Sequence, residues 1–328
     1  EGLKTIGLDA FKNCRSLKQL ELPNSLQEIA MGAFQECESI ASIKFGSGLT
    51  FIGEKAFWHC HALKQLELPS SLEQIDYAAF AESMNLEQVN LGAATPLWGQ
   101  NPFLGCLKLK AFAVSDDNTD FATQDGVLYS KDFTTLYAYP AGRTNTALRL
   151  HDKTQTVEDF AFWFAPKLAE VTFPEEFAIL GNTPFGGCKS LKQLTMLTTT
   201  PPQSTYDNDP FEGVDRSQCQ LIVPKGSKGD YEQSPIWRGF KIAEDTAIDA
   251  IPTDRIELAV DGSFWRLSGI PSSYQIARVV DLTLRTLAEY PLADTTVAID
   301  HTTIPSGSYL IILEDGSTQT RQVLKVCK

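Results

Sequence analysis

The chain has 328 residues, of which 43% are hydrophobic and 21% are charged, so it can build a buried core and is too apolar to be globally disordered. Its formal net charge is −13. This acidity disfavours nucleic acids and anionic membranes as partners, because both require a basic surface. The sequence has no apolar run near the roughly 18 residues that span a bilayer, so we predict no direct membrane insertion.

A phenylalanine recurs every 23 residues in the first third of the chain. The recurring positions are Phe11, Phe34, Phe57, Phe80 and Phe103. In most repeats a leucine lies eight residues before this phenylalanine, an alanine directly before it and a cysteine three residues after it. A fixed period of about 20 to 50 residues is typical of a solenoid, in which each coil packs on its neighbours. The pattern therefore predicts stacked coils and a protein that binds along an extended surface.

Each repeat has three segments. The opening Leu-x-x-Ile is short and apolar, and the Ala-Phe-x-x-Cys segment predicts a short helix or 3₁₀ turn. The closing Leu-x-x-Leu-x-Leu predicts a short strand, because its alternation places the leucines inward and the residues between them outward. Pro23 and Pro69 end two of these strands. Each predicted coil thus combines a short strand with a short helix or 3₁₀ turn.

The period is interrupted after Phe103. It resumes at Phe162 and Phe185, and the 59 residues from Phe103 to Phe162 are one repeat of 23 plus 36. The intervening sequence contains two segments rich in tyrosine, valine and leucine that are separated by turn residues. We therefore predict an insertion at about 117–153, which forms a β-hairpin or small meander and continues the sheet.

The remaining segments complete the predicted domain organisation. The solenoid covers residues 1–245 and ends in a cap at about 200–245, because a terminal repeat must cover the open end of the core. Residues 246–254 have lost the period and are predicted to be a linker. Residues 255–328 contain short strand patterns at regular spacing, which predict a small all-β sandwich. The predicted strands are Ile256–Val260, Phe264–Leu267, Tyr274–Asp281, Leu284–Tyr290, Thr296–Ile299, Tyr309–Leu313 and Gln319–Val326.

Most of the cysteines fall in one slot of the repeat. The slot holds Cys14, Cys37, Cys60, Cys106 and Cys188, which are five of the seven. Identical slots stack inside a solenoid, where a free cysteine behaves as a small buried hydrophobe. We favour this interpretation over disulfides or a metal site. His59 and His61 flank Cys60 without the spacing of a zinc site, and we interpret them as turn residues. We predict no cofactor and no metal.

Residues 3–245 resemble the BspA-like leucine-rich repeat proteins of Bacteroidetes and treponemes. The AF-x-x-C unit, the insertion DGVLYSKDFTTLYAYPAG and the cap VPKGSKGDYEQSPIWRGF carry this resemblance. The tail is similar to the C-terminal sorting domains of type IX secreted Bacteroidetes proteins through VVDLTLRTL (279–287), IPSGSYLIILEDG (304–316) and the closing QVLKV. The resemblance implies an α/β-type leucine-rich repeat solenoid followed by a small all-β Ig-like sandwich. It also implies a secreted protein, or one on the outer surface of a Gram-negative bacterium, with a role in adhesion or host interaction.

The sequence carries no enzyme signature. The motifs GxSxG, HExxH and GxGxxG and the P-loop are all missing from it, so we predict that the protein is not an enzyme. Asp207, Asn208 and Asp209 could offer oxygen ligands to calcium, but the EF-hand pattern does not surround them. A binding surface is therefore the better hypothesis.

If the strands line one surface, their outward residues form a polar candidate ligand-binding face. These residues are Gln19, Glu21, Ser42, Lys44, Gln65, Glu67, Gln88, Asn90, Glu170, Thr172, Gln193 and Thr195. None of them is aromatic or arginine, the types enriched at interface hot spots. Tyr129, Tyr137 and Tyr139 of the insertion form a second candidate patch. Trp58 and Trp163 each follow a repeat phenylalanine, and we predict that both are half-buried.

Two hypotheses from different classes follow. In the first, the protein is an adhesin that binds an unknown host or bacterial surface protein or glycan through the solenoid. In the second, it is a structural spacer or scaffold that displays a partner at the cell surface. In both we predict a monomer.

Overall fold

The computed structural model describes residues 2–94, 96–245, 257–261, 264–268, 274–280, 285–292, 297–302, 304–305, 308–315 and 321–327. The chain divides into two compact units, Glu1–Ala247 and Ile248–Lys328. The first unit contains the repeats. The linker predicted at 246–254 lies outside the described residues.

Each regular coil contributes two short strands, and equivalent strands of successive coils pair in parallel. The first column consists of β1 (Thr5–Ile6), β3 (Glu28–Ile29), β5 (Phe51–Ile52), β7 (Gln74–Ile75) and β9 (Leu97–Trp98). The second consists of β2 (Gln19–Glu21), β4 (Ser42–Lys44), β6 (Gln65–Glu67), β8 (Gln88–Gly92) and β10 (Ala111–Val114). Paired residues are 23 apart, as Thr5 and Glu28 show. The solenoid predicted from the period is confirmed.

After the fifth coil the chain forms an antiparallel hairpin. In it, β11 (Phe121–Gln124) pairs with β12 (Val127–Ser130), and β12 pairs with β13 (Thr135–Ala138). Strand β13 then pairs in parallel with β15 (Thr156–Val157), so the insertion continues the sheet as predicted. The first column proceeds through β17 (Ile179–Leu180) and β19 (Gln203–Ser204). The second proceeds through β14 (Ala147–Arg149), β16 (Glu170–Phe173), β18 (Gln193–Met196), β20 (Gln220–Val223) and β21 (Lys241–Glu244).

The insertion is shorter than the predicted 117–153, because the chain from β13 onwards forms a coil of its own. Tyr139 N donates to Ala161 O at 2.8 Å, and Phe162 N makes the same bond to Pro184 O at 2.9 Å one coil later. Tyr139 also lies 23 residues before Phe162 and packs against it with 5.2 Å between ring centroids. Tyr139 therefore occupies the phenylalanine slot of an additional coil.

The repeat phenylalanines stack along the core. The ring centroids of Phe34 and Phe57 are 5.1 Å apart, and those of Phe57 and Phe80 are 4.9 Å apart, with nearly parallel planes. Phe162 and Phe185 continue the stack at 4.6 Å beyond the insertion. Such offset stacking adds to the hydrophobic stabilisation from burying each ring. The stack aligns the coils, and so it positions the outward side chains of every strand.

The helix or 3₁₀ turn predicted in each repeat is not supported. The segment between the first strand and the cysteine slot, here called the arc, is a series of hydrogen-bonded turns. In the third coil, Lys55 and His59 have φ values of 53° and 62°, and the equivalent residues of other coils also have positive φ. A left-handed residue interrupts a right-handed helix, so two of them per arc exclude one. In the described part of the chain the one α-helix is α1 (Lys228–Gln233), in the cap.

The cap covers the last rung of the phenylalanine stack. The Trp237 ring packs 5.3 Å from that of Phe211, and its Nε1 donates to Pro202 O at 2.8 Å. Tyr231 of α1 is fully buried, and its hydroxyl donates to Thr198 O at 2.9 Å. Both aromatic side chains thus bury apolar surface and satisfy their polar atoms. Tyr231 and Trp237 thus anchor this segment on the end of the solenoid core.

The second unit is built of antiparallel strands at all seven predicted positions. One sheet contains β22 (Glu257–Asp261), β23 (Phe264–Ser268) and β26 (Val297–Asp300). The other has the order β25 (Thr286–Pro291), β24 (Tyr274–Val280), β27 (Ser308–Asp315) and β28 (Arg321–Cys327). Trp265 from the first sheet shares one buried core with Val279 and Ile311 from the second. The finer assignment of an Ig-like sandwich stays a prediction.

Candidate ligand-binding surface and cavity

The outward side chains of the second strand column form a surface that we call the strand face. Gln19, Ser42, Gln65 and Gln88 are exposed at equivalent positions of β2, β4, β6 and β8. Glu21, Lys44 and Glu67 are exposed two residues later, and Asn90 is half-buried. Leu66 and Val89, which alternate with these residues, are buried in the core. The alternation predicted for these strands is therefore confirmed, and polar side chains repeat along the solenoid at the spacing of adjacent strands.

The strand face is divided into two parts. Strands β6, β8 and β10 belong to one sheet, and β14, β16, β18, β20 and β21 belong to another. The hairpin tip lies between them, since Phe112 N donates to Gly126 O at 2.9 Å and Gly142 N donates to Leu109 O at 2.7 Å. Glu170, Thr172, Gln193 and Thr195 thus lie on the second part. The predicted single sheet surface is corrected to two strand groups that flank the hairpin.

Ion pairs between adjacent coils reduce the free charge of the first part. Lys44 Nζ lies 2.6 Å from Glu21 Oε1, and this hydrogen bond lowers the pKa of Glu21 and raises the pKa of Lys44. Such exposed pairs contribute little to stability. Gln19, Gln65 and Gln88 make no side-chain hydrogen bond within the described part of the chain. Their amides are therefore available to a partner.

The second part contains an arginine that the sequence analysis missed. Arg149 of β14 pairs with Thr172 in the strand register, which places it on the strand face. Its side chain is 59% exposed and forms an ion pair with Asp152 at 2.9 Å. The signal was present in the sequence, because Arg149 lies 23 residues before Thr172. Arginine is favoured at interface hot spots, so this position strengthens the second part as a binding surface.

The tyrosine patch predicted on the insertion does not form. Tyr129 and Tyr139 are only 1% and 6% exposed, and Tyr137 is half-buried with its ring 5.3 Å from that of Phe121. Tyr139 is buried because it fills the phenylalanine slot. The strand register shifts between Leu128 and Tyr129, so the side chains of both residues face apolar surroundings and both are buried. The prediction of an exposed patch at Tyr129, Tyr137 and Tyr139 is wrong.

The two repeat tryptophans pack between neighbouring arcs. Trp58 and Trp163 are both half-buried, as predicted. They contact a small cluster of buried residues outside the main core, formed by Ala78, Ala81 and Leu104. These tryptophans therefore stabilise the contacts between arcs.

The cysteine slot is buried in every coil except the first. Cys37, Cys60, Cys106 and Cys188 are buried, and Cys14 is exposed. These thiols and that of Cys219 are free. Within the described ranges, no group of three or more His, Cys, Asp or Glu side chains is arranged to hold a metal ion.

A cavity lies where the repeat is interrupted, and its cause is a shortened arc. Leu136 pairs with Val157 and so holds the isoleucine slot of the additional coil, but Tyr139 follows it by only three positions. In the first coil, Phe11 follows Ile6 by five. The shorter arc leaves a gap in the row of arcs, and the arcs of the two flanking coils contact each other across this gap. Their contacts are Gln100 Nε2 to Asp159 Oδ2 at 2.9 Å and Asn101 Nδ2 to Phe160 O at 2.9 Å.

The cavity has a volume of about 130 Å³ and a mixed polar and aromatic lining. The lining residues are Trp98, Gly99, Gln100, Asn101, Tyr137, Glu158 and Asp159. Trp98 replaces the usual isoleucine, since it lies 23 residues after Ile75, and its ring centroid is 6.4 Å from that of Tyr137. Burial, and then the charge of Asp159, raises the pKa of Glu158. A tryptophan in an isoleucine slot was the available sequence signal for this site.

The repeats match a known family. A sequence model described as the BspA type leucine rich repeat region matches in six copies, over residues 2–124 and 137–214, which is more than half of the chain. The chain belongs to the BspA-type leucine-rich repeat family. The unmatched residues between the two ranges contain β12, in agreement with a hairpin inserted into the repeats. No curated protein matches this BspA-type chain.

Solved structures similar to this chain include three bacterial proteins. A protein from Eubacterium ventriosum has a TM-score of 0.53 at 16% identity, with 74% of this chain and 70% of that chain covered. The pneumococcal vaccine antigen PcpA has a TM-score of 0.46 at 19% identity, with 74% and 84% covered. A leucine rich cell surface protein from Faecalibacterium prausnitzii has a TM-score of 0.43 at 19% identity, with 74% and 76% covered. At these identities the first of them supports the fold of this BspA-type chain and nothing finer.

In the residues that the structure describes, no helix has the length and apolar character needed to cross a membrane.

Proposed function

We propose that this BspA-type repeat protein is secreted or displayed at the cell surface and binds a protein or a glycan through its strand face. The observation that carries the proposal is a row of exposed polar side chains at one repeat position of successive strands. Gln19 pairs with Ser42 in β2 and β4, and Gln65 pairs with Gln88 in β6 and β8. Paired strands in a sheet are about 4.8 Å apart, so each pair offers closely spaced polar side chains to an extended partner. Arg149 adds a charged anchor on the second part of the face.

The strand face is also better suited to binding than to catalysis. Its exposed residues are amides, hydroxyls and charged groups, and none of the predicted members is a buried acid, base or nucleophile. Catalytic groups are usually found in concave sites that shift their pKa values. We therefore propose a binding function without turnover.

The location rests on the family and on the tail. Members of the BspA-like group that the sequence resembles are surface or secreted proteins, and the tail is similar to type IX sorting domains at 279–287, 304–316 and 322–326. We propose export to the outer surface of a Gram-negative bacterium of the Bacteroidetes. Export would be tested by fractionating a Bacteroidetes host that expresses the gene with and without residues 255–328. Loss of surface protein on truncation supports a sorting role, and unchanged export refutes it.

The binding proposal is tested by removing the amide row. The triple variant Gln19→Ala, Gln65→Ala and Gln88→Ala should lose at least about tenfold in affinity for whichever partner the intact chain captures from host or bacterial surface extracts. The side chains are exposed and unpaired, so the substitutions leave the core intact. Affinity would be measured by surface plasmon resonance with the purified partner.

A matched control uses polar residues away from the strand face. Lys12, Gln27 and Glu73 are exposed on the arcs or beside the first strand column, and their triple alanine variant should bind normally. If the control loses binding and the amide-row variant retains it, the strand face is not the binding surface.

A structural spacer is the second candidate. It is favoured by the first part of the strand face, which carries no aromatic or arginine side chain among its predicted residues. A spacer would show no saturable binding across an array of matrix proteins and glycans, while remaining exported. Saturable binding lost in the amide-row variant would exclude it.

A further inference from the structure

The cavity at the interrupted repeat carries hydrogen-bonding groups that the fold does not use. The Trp98 Nε1–H is buried and has no hydrogen-bond partner in the described part of the chain. The Tyr137 hydroxyl makes no hydrogen bond with a described residue, and the Glu158 carboxyl accepts from the backbone N–H of Asp159 but from no described side chain. By contrast, both carboxylate oxygens of Asp159 are occupied, because it accepts from Gln100 Nε2 at 2.9 Å and from Asn182 N at 2.7 Å. The wall of the cavity therefore contains an unpaired donor together with a carboxyl that has lone pairs to spare.

These groups select a ligand that both accepts and donates hydrogen bonds. The indole N–H of Trp98 requires an acceptor, and the carboxylate of Glu158 requires a donor. A hydroxyl supplies both, whereas an ammonium only donates and would leave the buried Trp98 N–H unpaired. An anion would lie against Glu158 and Asp159. Burial and the Asp159 charge already raise the pKa of Glu158, so a further negative charge is unfavourable there.

The size of the cavity limits the ligand to one ring. Its volume is about 130 Å³, whereas sites for drug-sized molecules occupy about 300–1,000 Å³. An apolar cavity of about 150 Å³ binds benzene, so the volume here corresponds to a six-membered ring whose substituents extend toward the opening. The rings of Trp98 and Tyr137 contribute apolar surface next to the polar groups, which suits a molecule with an apolar face and a polar rim.

The shape of the site is also built into the backbone. Gly99 has no room for a side chain, because a Cβ there would lie 2.8 Å from backbone atoms of Asp76 and Ile75. The bridges from Gln100 to Asp159 and from Asn101 to Phe160 join residues that are 59 positions apart in sequence. The cavity is thus held from both sides by the coils that flank the shortened arc.

We propose that this cavity binds the terminal ring of an uncharged glycan, with Trp98 Nε1 donating to one hydroxyl oxygen and Glu158 accepting from a hydroxyl of the same sugar. None of the lining residues belongs to the strand face. The site is therefore independent of the function proposed for that face, and it takes neutral sugars as its ligand class.

The test uses simple sugars with the intact chain. The probes are the methyl glycosides of glucose, galactose, mannose and fucose, with the methyl glycoside of sialic acid as the anionic probe and lysine as the amine probe. Saturation-transfer NMR and titration calorimetry should detect at least one neutral glycoside with a Kd on the order of 1 mM or below. The sialic acid glycoside and lysine should bind at least about tenfold more weakly than that glycoside.

Two variants locate the binding. Trp98→Phe retains an aromatic ring in contact with Phe103 and Phe121 but removes the N–H, and it should weaken binding of the neutral glycoside about tenfold. Glu158→Gln keeps the shape of the side chain and replaces the carboxylate, and it should weaken binding several-fold. Trp58→Phe, at a half-buried tryptophan between other arcs, and Gln65→Ala, on the strand face, are the controls and should bind as the unmodified chain does.

Several results would overturn the proposal. These are no binding of any neutral glycoside, preferential binding of lysine or of the sialic acid glycoside, and binding that neither Trp98→Phe nor Glu158→Gln changes. If Trp98→Phe fails to fold by circular dichroism, Glu158→Gln decides alone. Glu158 is half-buried, and the glutamine amide oxygen can still accept the backbone hydrogen bond from Asp159. Failure at the cavity would leave the strand-face proposal untouched, because the amide-row variant tests that surface separately.

Discussion

At the scale of single residues, the cysteine slot shows why this position repeats. Cys106 Sγ donates to Phe80 O at 3.3 Å, and Cys188 Sγ donates to Phe162 O at 3.1 Å. Burial raises the pKa of both thiols to about 12, so the thiols stay protonated and can donate. The slot therefore requires a small apolar side chain that can also donate a weak hydrogen bond to the adjacent coil, and cysteine meets both requirements.

Ser83 occupies the same slot in the fourth coil and is expected to limit stability there. It is fully buried, and its hydroxyl has no hydrogen-bond partner in the described residues. An unpaired buried hydroxyl costs about 1–3 kcal/mol. We predict that Ser83→Cys raises the free energy of unfolding of the solenoid by about 1 kcal/mol, as measured by urea denaturation.

The reverse substitution in the preceding coil is the control for Ser83. Cys60 is fully buried in the same slot, and Cys60→Ser should lower the free energy of unfolding by about 1 kcal/mol because it places a hydroxyl in an apolar site. If Ser83→Cys leaves stability unchanged or lowers it while Cys60→Ser behaves as expected, Ser83 is not an unsatisfied member of the slot.

At the scale of elements, the arcs contain residues in the left-handed region, two of them in most coils. Gly105 holds the second of these positions in the fifth coil, with φ 68°, where the third coil has His59 with φ 62°. A Cβ at Gly105 would lie 3.1 Å from Glu82 Cγ, the flexible part of a side chain that can move aside. A side chain at this position therefore costs free energy mainly because the backbone is left-handed, and not because the side chain would clash.

We predict that Gly105→Ala lowers the stability of the solenoid by about 1–2 kcal/mol, the free-energy cost of placing a residue with a Cβ in the left-handed region. The measurement is the shift of the urea midpoint. Gly7→Ala is the matched control, because Gly7 lies outside the positive-φ region with open space around its Cβ position, and its effect should stay within about 0.5 kcal/mol. Equal effects of the two substitutions would show that the arc does not depend on the left-handed position.

The elements show which parts of the fold the sequence could predict. The strands follow from alternation and from the period of 23, and both leave clear apolar patterns. The arcs were predicted to be short helices or 3₁₀ turns because most of their left-handed positions are not glycine, and residues such as Lys55 and His59 carry no turn signal of their own. The additional coil was missed because Tyr139 replaces phenylalanine and its arc is two residues shorter, although its distance of 23 from Phe162 was visible.

At the scale of the whole molecule, the two candidate sites differ in how far the sequence could predict them. The strand face follows directly from strand alternation, so Gln19, Gln65 and Gln88 could be placed without a structure. The cavity could not be placed in this way. Gln100 and Asp159 hold the same repeat position, three residues before Phe103 and Phe162, but their contact depends on the shortened arc of the additional coil between them. A site of defined shape therefore forms where the regular solenoid is interrupted.

The two units have separate hydrophobic cores, and this separation predicts how the molecule unfolds. Phe57 is fully buried in the solenoid and stacks between Phe34 and Phe80. Trp265 is fully buried in the other unit, where it shares a core with Val279. Because the described residues of the solenoid cores all belong to the first unit, we expect loss of packing in the core of one unit to leave the core of the other intact.

We predict that Trp265→Ala lowers one of two calorimetric unfolding transitions and leaves the other unchanged. Removing a buried tryptophan costs about 3–5 kcal/mol, which in a unit of this size lowers Tm by more than about 10 °C. Differential scanning calorimetry of the intact chain would measure both transitions. Phe57→Ala should lower only the other transition, since it acts within the repeats. A single transition that both substitutions shift equally would mean that the units unfold as one cooperative body, and the separate cores would then not determine stability.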